Sequence, residues 1–315
     1  MLQRYILVWL VLSSGISLFW PQLYAGFDPF LAFKPAMNWL IVTAMFCVGA
    51  LLPHDELKQL VHRWPSVLLG TAAQFISMPL LAWLAVLIFR PEPELATGFI
   101  IVGCVPGAMA SNVLTMTARG NVSYSVSLTT CSTLLSPIVV PQALRIFLDR
   151  DVNYNGQEAV TMLILQVALP VVVGHGLSRI WYRFRHVAHA IAPTAANLAI
   201  LMVIATAVAL KRGEVSSASP GIIIPLLVIN LLGYIAGFTF GWVGRLKTPM
   251  RRALTLEVGM QNAGAGTVLA VQLFGGQSAA IIPCVLYTFG CMLTGTILAT
   301  IWNQIPIEDV PEEFA

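Results

Sequence analysis

A single carboxylate stands in a long apolar stretch, in the segment that runs from Glu257 to Gly266 and reads EVGMQNAGAG. The stretch begins after Arg252 and has no other charged residue before Glu308. An acidic side chain at the centre of a membrane helix costs about 2.5 kcal/mol or more, so its presence there indicates a function. Glycines loosen a helix, and amides and freed carbonyls offer oxygen ligands. The segment therefore predicts that Glu257 is a cation ligand on a broken membrane helix.

Hydroxyl and amide side chains in other apolar stretches offer more oxygen ligands, which hard cations such as sodium prefer. Ser125, Thr129 and Ser132 are three or four residues apart and share one helical face. Ser111-Asn112 follows a run that contains Gly103, Pro106 and Gly107. A single hydroxyl is just as compatible with bonding its own helix or a neighbouring one. These residues become ligand candidates because Glu257 needs partners.

Gln74 and Asn230 are isolated amides in two further apolar stretches. Each fits a ligand role and equally an interhelical hydrogen bond. The five cysteines all lie in apolar stretches without metal-like spacing, so we interpret them as small packing residues.

The composition is that of a membrane protein that spans the bilayer many times. The chain has 315 residues, of which 57% are hydrophobic and 10% charged, and its mean hydropathy is +0.82. A soluble protein carries roughly 25% charged residues. The net charge of +3 does not indicate nucleic-acid binding. The expected partners are the lipid bilayer, a cation and a small solute.

Ten stretches are long enough to span the membrane, and we expect an all-α fold with the first of them retained rather than cleaved. They cover approximately 4–21, 35–52, 64–89, 95–118, 122–147, 158–178, 191–210, 219–243, 252–274 and 277–303. With the N-terminus inside, eleven of the 17 Lys and Arg residues fall in cytoplasmic segments and six on the opposite side. This bias predicts a cell (inner) membrane protein with both termini in the cytoplasm.

The two halves of the chain, 1–153 and 154–315, each contain five spans and must therefore enter the membrane from opposite sides. This is the arrangement of an inverted repeat. The fourth and ninth spans correspond, and both are interrupted by Gly or Pro beside a polar pair, Ser111-Asn112 and Gln261-Asn262. Paired interruptions of this kind predict a transporter binding site near the midplane. Half-helix N-termini at such a crossing favour an anionic substrate.

With these features the sequence resembles the bile acid:sodium symporter family, to which bacterial homologues of the apical sodium-dependent bile acid transporter belong. Glu257-Val258-Gly259-Met260-Gln261-Asn262 is similar to the motif of the family's ninth span, and Ala110-Ser111-Asn112-Val113 to that of the fourth. The resemblance implies a panel of spans one, two, six and seven. It also implies a core of the other six, in which spans four and nine cross.

The resemblance further implies two sodium sites and a substrate site. The first sodium site uses Ser111, Asn112, Ser125, Thr129 and Glu257. The second uses Gln74, Glu257, Gln261 and backbone at Val258 and Met260. In the substrate site, Asn262 would face the substrate, and Met109 and Ala110 would lie nearby.

Two departures from the family's pattern make the expected substrate region less polar. Met109 stands where familiar bacterial members have threonine, and Cys291-Met292 replaces a His-Asn pair in the tenth span. We therefore expect a sodium-coupled symporter of an organic anion, either a bile acid or a small carboxylate, working by alternating access. A sodium- or proton-driven exporter on the same fold is the first alternative. An intramembrane enzyme or receptor is the second, although the sequence offers no second buried acid for it.

Overall fold

The computed structural model describes residues 6–24, 26–53 and 63–306, and these residues form helices joined by short connections. Eight helical segments are long and apolar enough to cross a membrane. Arg4 and Lys58, two of the residues that support the predicted orientation, lie outside the described residues. The helices of eight or more residues are α1 (Ile6–Leu23), α2 (Met37–Leu51), α3 (Trp64–Phe89), α4 (Pro93–Cys104), α5 (Ala110–Thr117), α6 (Val122–Phe147), α7 (Gly156–Ile180), α8 (Tyr182–Leu210), α9 (Pro220–Val243), α10 (Thr248–Gly259), α11 (Ala263–Phe274) and α12 (Ile281–Gln304).

The predicted fourth and ninth spans are each divided into two shorter helices, α4 with α5 and α10 with α11. Pro106 and Gly107 lie in the first break, where proline has no N–H to continue a helix. In the second break the Asn262 side chain accepts a hydrogen bond from Ala265 N at 3.1 Å and caps α11. The interruptions predicted from Gly, Pro and polar residues are therefore present in the structure.

Helix α2 packs closely on both α7 and α8, and α1 packs on α8. Helix α9 packs on α3 and α10, α3 packs on α4, and α6 contacts the first half of α7. Where α2 meets α7, Gly49 and Gly174 bring the two backbones together: a Cβ on Gly49 would lie 2.7 Å from the Cα of Val171. Close approach through small residues is the usual way that membrane helices associate.

Helix α9 packs closely on α10 through glycines spaced four residues apart. A Cβ on Gly233 would lie 3.1 Å from the Cα of Gly259, and one on Gly237 would lie 2.8 Å from Leu254 O. This contact fixes the distance between α9 and α10, the helix that carries Glu257.

The boundary between the sixth and seventh spans differs from the prediction. The predicted spans leave residues 179–190 as a connection, but α8 begins at Tyr182 and only Trp181 separates it from α7. Residues 182–192 contain neither proline nor glycine, so nothing in this segment interrupts the helix. The basic and aromatic residues of the segment therefore form the first turns of α8.

Candidate cation site at the helix crossing

The two helix breaks cross and pair through their backbones. Gly107 and Gln261 form an antiparallel bridge. Ala108 N donates to Met260 O at 2.8 Å, and Asn262 N donates to Pro106 O at 2.8 Å. These bonds satisfy polar groups that the interrupted helices leave without partners, which is what permits irregular backbone deep in a membrane protein.

Glu257 lies at this crossing, in the last turn of α10, and is only 1% exposed. Its carboxylate accepts hydrogen bonds from Ser111 Oγ and, at 2.8 Å, from Thr129 Oγ1. Within residues 6–24, 26–53 and 63–306, no Lys or Arg forms an ion pair with it. A buried carboxylate held by hydroxyls alone retains an uncompensated charge, and a cation would neutralise it.

Gly107 forms one wall of the carboxylate site. A Cβ at this position would collide with Oε1 of Glu257, lie 2.8 Å from its Cδ and lie 3.3 Å from Nε2 of Gln74. The crossing backbone therefore passes directly over the carboxylate, and only glycine leaves it room.

Asn112, Ser125 and Thr115 surround the Ser111–Thr129–Glu257 cluster. Asn112 Oδ1 accepts from Thr129 Oγ1 at 3.4 Å, so its amide oxygen faces the same hydroxyl as the carboxylate does. Ser125 O also accepts from Thr129 Oγ1, at 3.0 Å, while the Ser125 hydroxyl accepts from Thr115 Oγ1 at 3.2 Å. The structure thus brings four of the five predicted ligands of the first site into one connected cluster and adds Ser125 through its backbone oxygen.

Gln74 and Gln261 meet on another side of the crossing, with their terminal amides 3.2 Å apart. One of the two terminal amide atoms of Gln261 lies 2.6 Å from Val105 O and 3.2 Å from Pro106 O. Both of these oxygens are acceptors, so we assign this atom as the amide nitrogen, which can donate to them. The other amide atom of Gln261, its oxygen in this orientation, lies 3.3 Å from Val258 O. The structure therefore brings Gln74, Gln261 and Val258 O together at the crossing, while Met260 O accepts the hydrogen bond from Ala108 N.

The residues expected near substrate lie at the two inner helix N-termini. Met109 and Ala110, at the start of α5, are half-buried. Asn262 is largely buried, and its amide oxygen is engaged in capping α11. Cys291 and Met292 are both buried inside the helix packing.

Tyr287 and Thr294 were not predicted as site residues, and Asn230 fitted either an ion ligand or an interhelical hydrogen bond. In the structure, Asn230 Nδ2 and Tyr287 OH each donate to Gly259 O at 2.8 Å, and Thr294 Oγ1 donates to Asn230 Oδ1 at 2.6 Å. Asn230 thus forms an interhelical hydrogen bond. The signal available in the sequence was a tyrosine within the apolar tenth span, which also fits the packing of a large side chain.

Comparison with known proteins relates the chain to sodium-dependent transporters. The model of the sodium bile acid symporter family matches residues 39–218, more than half of the chain. The chain is 29% identical to the uncharacterized sodium-dependent transporter YocS of Bacillus subtilis over 94% of this chain and 90% of the relative. It is 26% identical to the probable sodium/metabolite cotransporter BASS1, chloroplastic, of Arabidopsis thaliana, over 94% of this chain and 73% of the relative.

A mammalian relative extends the same pattern. The chain is 26% identical to the sodium-dependent organic anion transporter of Bos taurus over 87% of this chain and 74% of the relative. The matched family and all three relatives are transporters and not enzymes, which sets aside an intramembrane enzyme. The extent of the match to the family model shows that the chain belongs to the sodium bile acid symporter family.

Proposed function

We propose that this protein is a sodium-coupled symporter of an organic anion, with its ion and substrate sites at the crossing of α4–α5 and α10–α11. The observation that carries the proposal is the buried Glu257 carboxylate, whose hydrogen-bond donors among the described residues are two hydroxyls, at a point where two broken helices meet. The names of the bacterial, plant and bovine relatives support sodium as the coupling ion.

The first sodium ion would bind among Ser111, Asn112, Ser125, Thr129 and Glu257. Hydroxyl groups that now donate to the carboxylate can rotate their hydrogens away and present a lone pair to a cation at little cost. Oxygen ligands of three kinds, carboxylate, hydroxyl and amide, then surround the ion, which suits a hard cation.

The second sodium ion would bind among Gln74, Gln261, Glu257 and the backbone oxygens of Val258 and Met260. The separation of 3.3 Å between the Gln261 amide oxygen and Val258 O supports this set. Two neighbouring ligands that are each about 2.4 Å from a hard cation lie about 3.4 Å apart when they subtend a right angle. Sharing Glu257 between the two sites would make the two binding events interdependent.

The organic anion would bind where the N-termini of α5 and α11 approach the crossing, beside Met109, Ala110 and Asn262. The positive ends of both helix dipoles point to this region. Coupling follows from charge: without sodium, Glu257 disfavours both the ordered crossing and a nearby anion, and sodium removes both penalties.

Transport would proceed by alternating access between a panel (α1, α2, α7 and α8) and a core (α3 to α6 with α9 to α12), built from inverted repeats 1–153 and 154–315. Hydrogen bonds that link residues of the panel with residues of the core are the contacts that such a motion would break. Gln166, in a π-helical turn of α7, exchanges two hydrogen bonds of 3.1 and 3.2 Å with Gln272 of α11. Gln272 Nε2 also donates to Asn38 Oδ1 of α2, and Lys211 Nζ donates to Gln277 O.

Gln272→Ala is expected to lower the maximal uptake rate about tenfold while leaving the half-saturating sodium concentration within about twofold of wild type. The variant loses amide bonds of about 1 kcal/mol each that close the panel on the core, so one of the two alternating states becomes less populated. Initial rates of uptake over a range of sodium concentrations measure both quantities. The control is Gln157→Ala, which removes an exposed amide of α7. Equal rates in the two variants would show that the amide cluster plays no part in closure.

The proposal is tested by uptake into proteoliposomes that contain the purified protein. We expect a panel of radiolabelled organic acids to include at least one that accumulates under an inward sodium gradient and stops when potassium replaces sodium. A proton gradient imposed in potassium should give no accumulation. Accumulation driven by protons alone, or sodium-driven movement only out of the vesicles, would instead favour the exporter on the same fold.

A further inference from the structure

The carbonyl of Gly259, the last residue of α10, is held by two donors from two other helices. Asn230 Nδ2 of α9 and Tyr287 OH of α12 both lie 2.8 Å from Gly259 O. Asn230 and Tyr287 are each only 1% exposed. A helix C-terminus leaves its last carbonyls without partners inside the helix, so a buried end needs donors from elsewhere.

The Gly259 carbonyl determines how the Asn230 amide is oriented. A carbonyl oxygen can only accept, so the Asn230 atom that lies 2.8 Å from Gly259 O is the amide nitrogen. Asn230 Oδ1 then accepts from Thr294 Oγ1 at 2.6 Å. Gly259 itself packs on the Tyr234 ring, since a Cβ there would lie 2.9 Å from Cγ of Tyr234. The end of α10 is thus fixed by both packing and hydrogen bonding.

The two hydrogen bonds to Gly259 O determine which backbone carbonyls at the end of α10 remain available to bind an ion. A carbonyl oxygen has two lone pairs, and the two donors occupy both of those on Gly259 O. The N–H of the same peptide group, Met260 N, is held by Leu256 O at 3.0 Å. With this peptide fixed at both ends, Val258 O faces Gln261, and Met260 O accepts from Ala108 N across the crossing.

We propose that Tyr287 and Asn230 are positioning residues for the second sodium ion: they saturate the Gly259 carbonyl and so hold the end of α10 with Val258 O and Glu257 aimed at the ion. This inference rests on the proposed sodium-coupled function and assigns a role to residues outside its ligand set. The fixed helix end keeps the oxygen atoms at ligand spacing before the ion arrives, which lowers the cost of binding.

The test compares two matched tyrosine variants, Tyr287→Phe and Tyr124→Phe. Tyr124 is also fully buried, and its hydroxyl donates at 2.6 Å to the backbone oxygen of Ser66 in α3, not to a carbonyl of the two helix breaks. Each variant therefore loses one buried bond from a tyrosine to a carbonyl. Melting temperature is measured in detergent over a series of sodium concentrations, with potassium chloride added to keep ionic strength constant.

Both variants are expected to melt lower than wild type in potassium alone. Only Tyr287→Phe is expected to raise the half-saturating sodium concentration, by about fivefold, which corresponds to one hydrogen bond of about 1 kcal/mol. A half-saturation within twofold of wild type in Tyr287→Phe would overturn the positioning role. Should that variant fail to fold, Thr294→Val, which removes the donor to Asn230 Oδ1, carries the same expectation.

The two proposals fail in different ways. If wild-type protein gains no stability from sodium over potassium, sodium coupling itself fails, and the positioning role fails with it. If wild type responds to sodium and Tyr287→Phe responds with the same half-saturation, sodium coupling stands and only the positioning role is lost.

Discussion

Glu257→Gln is expected to abolish sodium-driven uptake and to weaken sodium binding by at least about 100-fold. The substitution keeps the size of the side chain and its place among Ser111 and Thr129 but removes the charge that would face the proposed sodium ions. Removing one partner from a buried pair of charges costs about 3 to 5 kcal/mol, and about 2.7 kcal/mol already corresponds to a 100-fold change in affinity. Uptake in proteoliposomes and sodium-dependent melting measure the two effects.

The control for this substitution is Glu158→Gln, which removes an exposed carboxylate from the first turn of α7. It is expected to keep wild-type uptake. Glu257→Gln is also expected to retain its fold, because a neutral side chain is easier to bury than a charged one. A folded Glu257→Gln protein that still takes up substrate in response to sodium would disprove the ligand role of Glu257.

Gly107→Ala is expected to reduce sodium-driven uptake at least tenfold and to lower the free energy of unfolding by about 1 to 3 kcal/mol, as overpacking does. The added methyl group would occupy the space of the Glu257 carboxylate and lies 3.3 Å from the Gln74 amide. Either the carboxylate moves away from Ser111 and Thr129, or the backbone pairing of Gly107 with Gln261 opens. Both changes separate the oxygen atoms that would bind sodium.

Gly290→Ala provides the matched control, since a Cβ on Gly290 of α12 meets no atom within 4 Å. We expect it to melt within about 2 °C of wild type and to transport normally, because alanine favours the helical conformation more than glycine does. Uptake by Gly107→Ala at the level of Gly290→Ala would show that the close approach at the crossing is not needed for ion binding.

Glu257 and the two interrupted spans could be predicted from the sequence because each violates a strong rule. A lone carboxylate in an apolar stretch and Pro106-Gly107 inside a span are both costly unless the fold uses them. The pairing of Gly107 with Gln261 was then within reach, since two interrupted helices in matching halves are expected to meet. These features are local, and a single sequence displays them.

The support around the site could not be predicted in the same way. The bond from Tyr287 to Gly259 O joins residues 28 positions apart, and the bond from Thr115 to Ser125 joins hydroxyls on two helices. A hydroxyl in an apolar helix fits self-bonding, interhelical bonding and ligation equally well, so its role depends on tertiary placement. The start of α8 was misplaced for a related reason: charged residues end an apolar pattern without ending a helix.

Sodium-dependent melting of the wild-type protein tests the central claim most directly. Sodium replaces potassium at constant ionic strength, and the melting temperature is followed without substrate. We predict that the melting temperature rises to a plateau as sodium is increased. The stabilisation should be about 2.7 kcal/mol when sodium reaches 100 times its dissociation constant, and potassium or choline should not raise the melting temperature. Identical melting temperatures in sodium and potassium at every concentration would contradict a sodium site at the helix crossing.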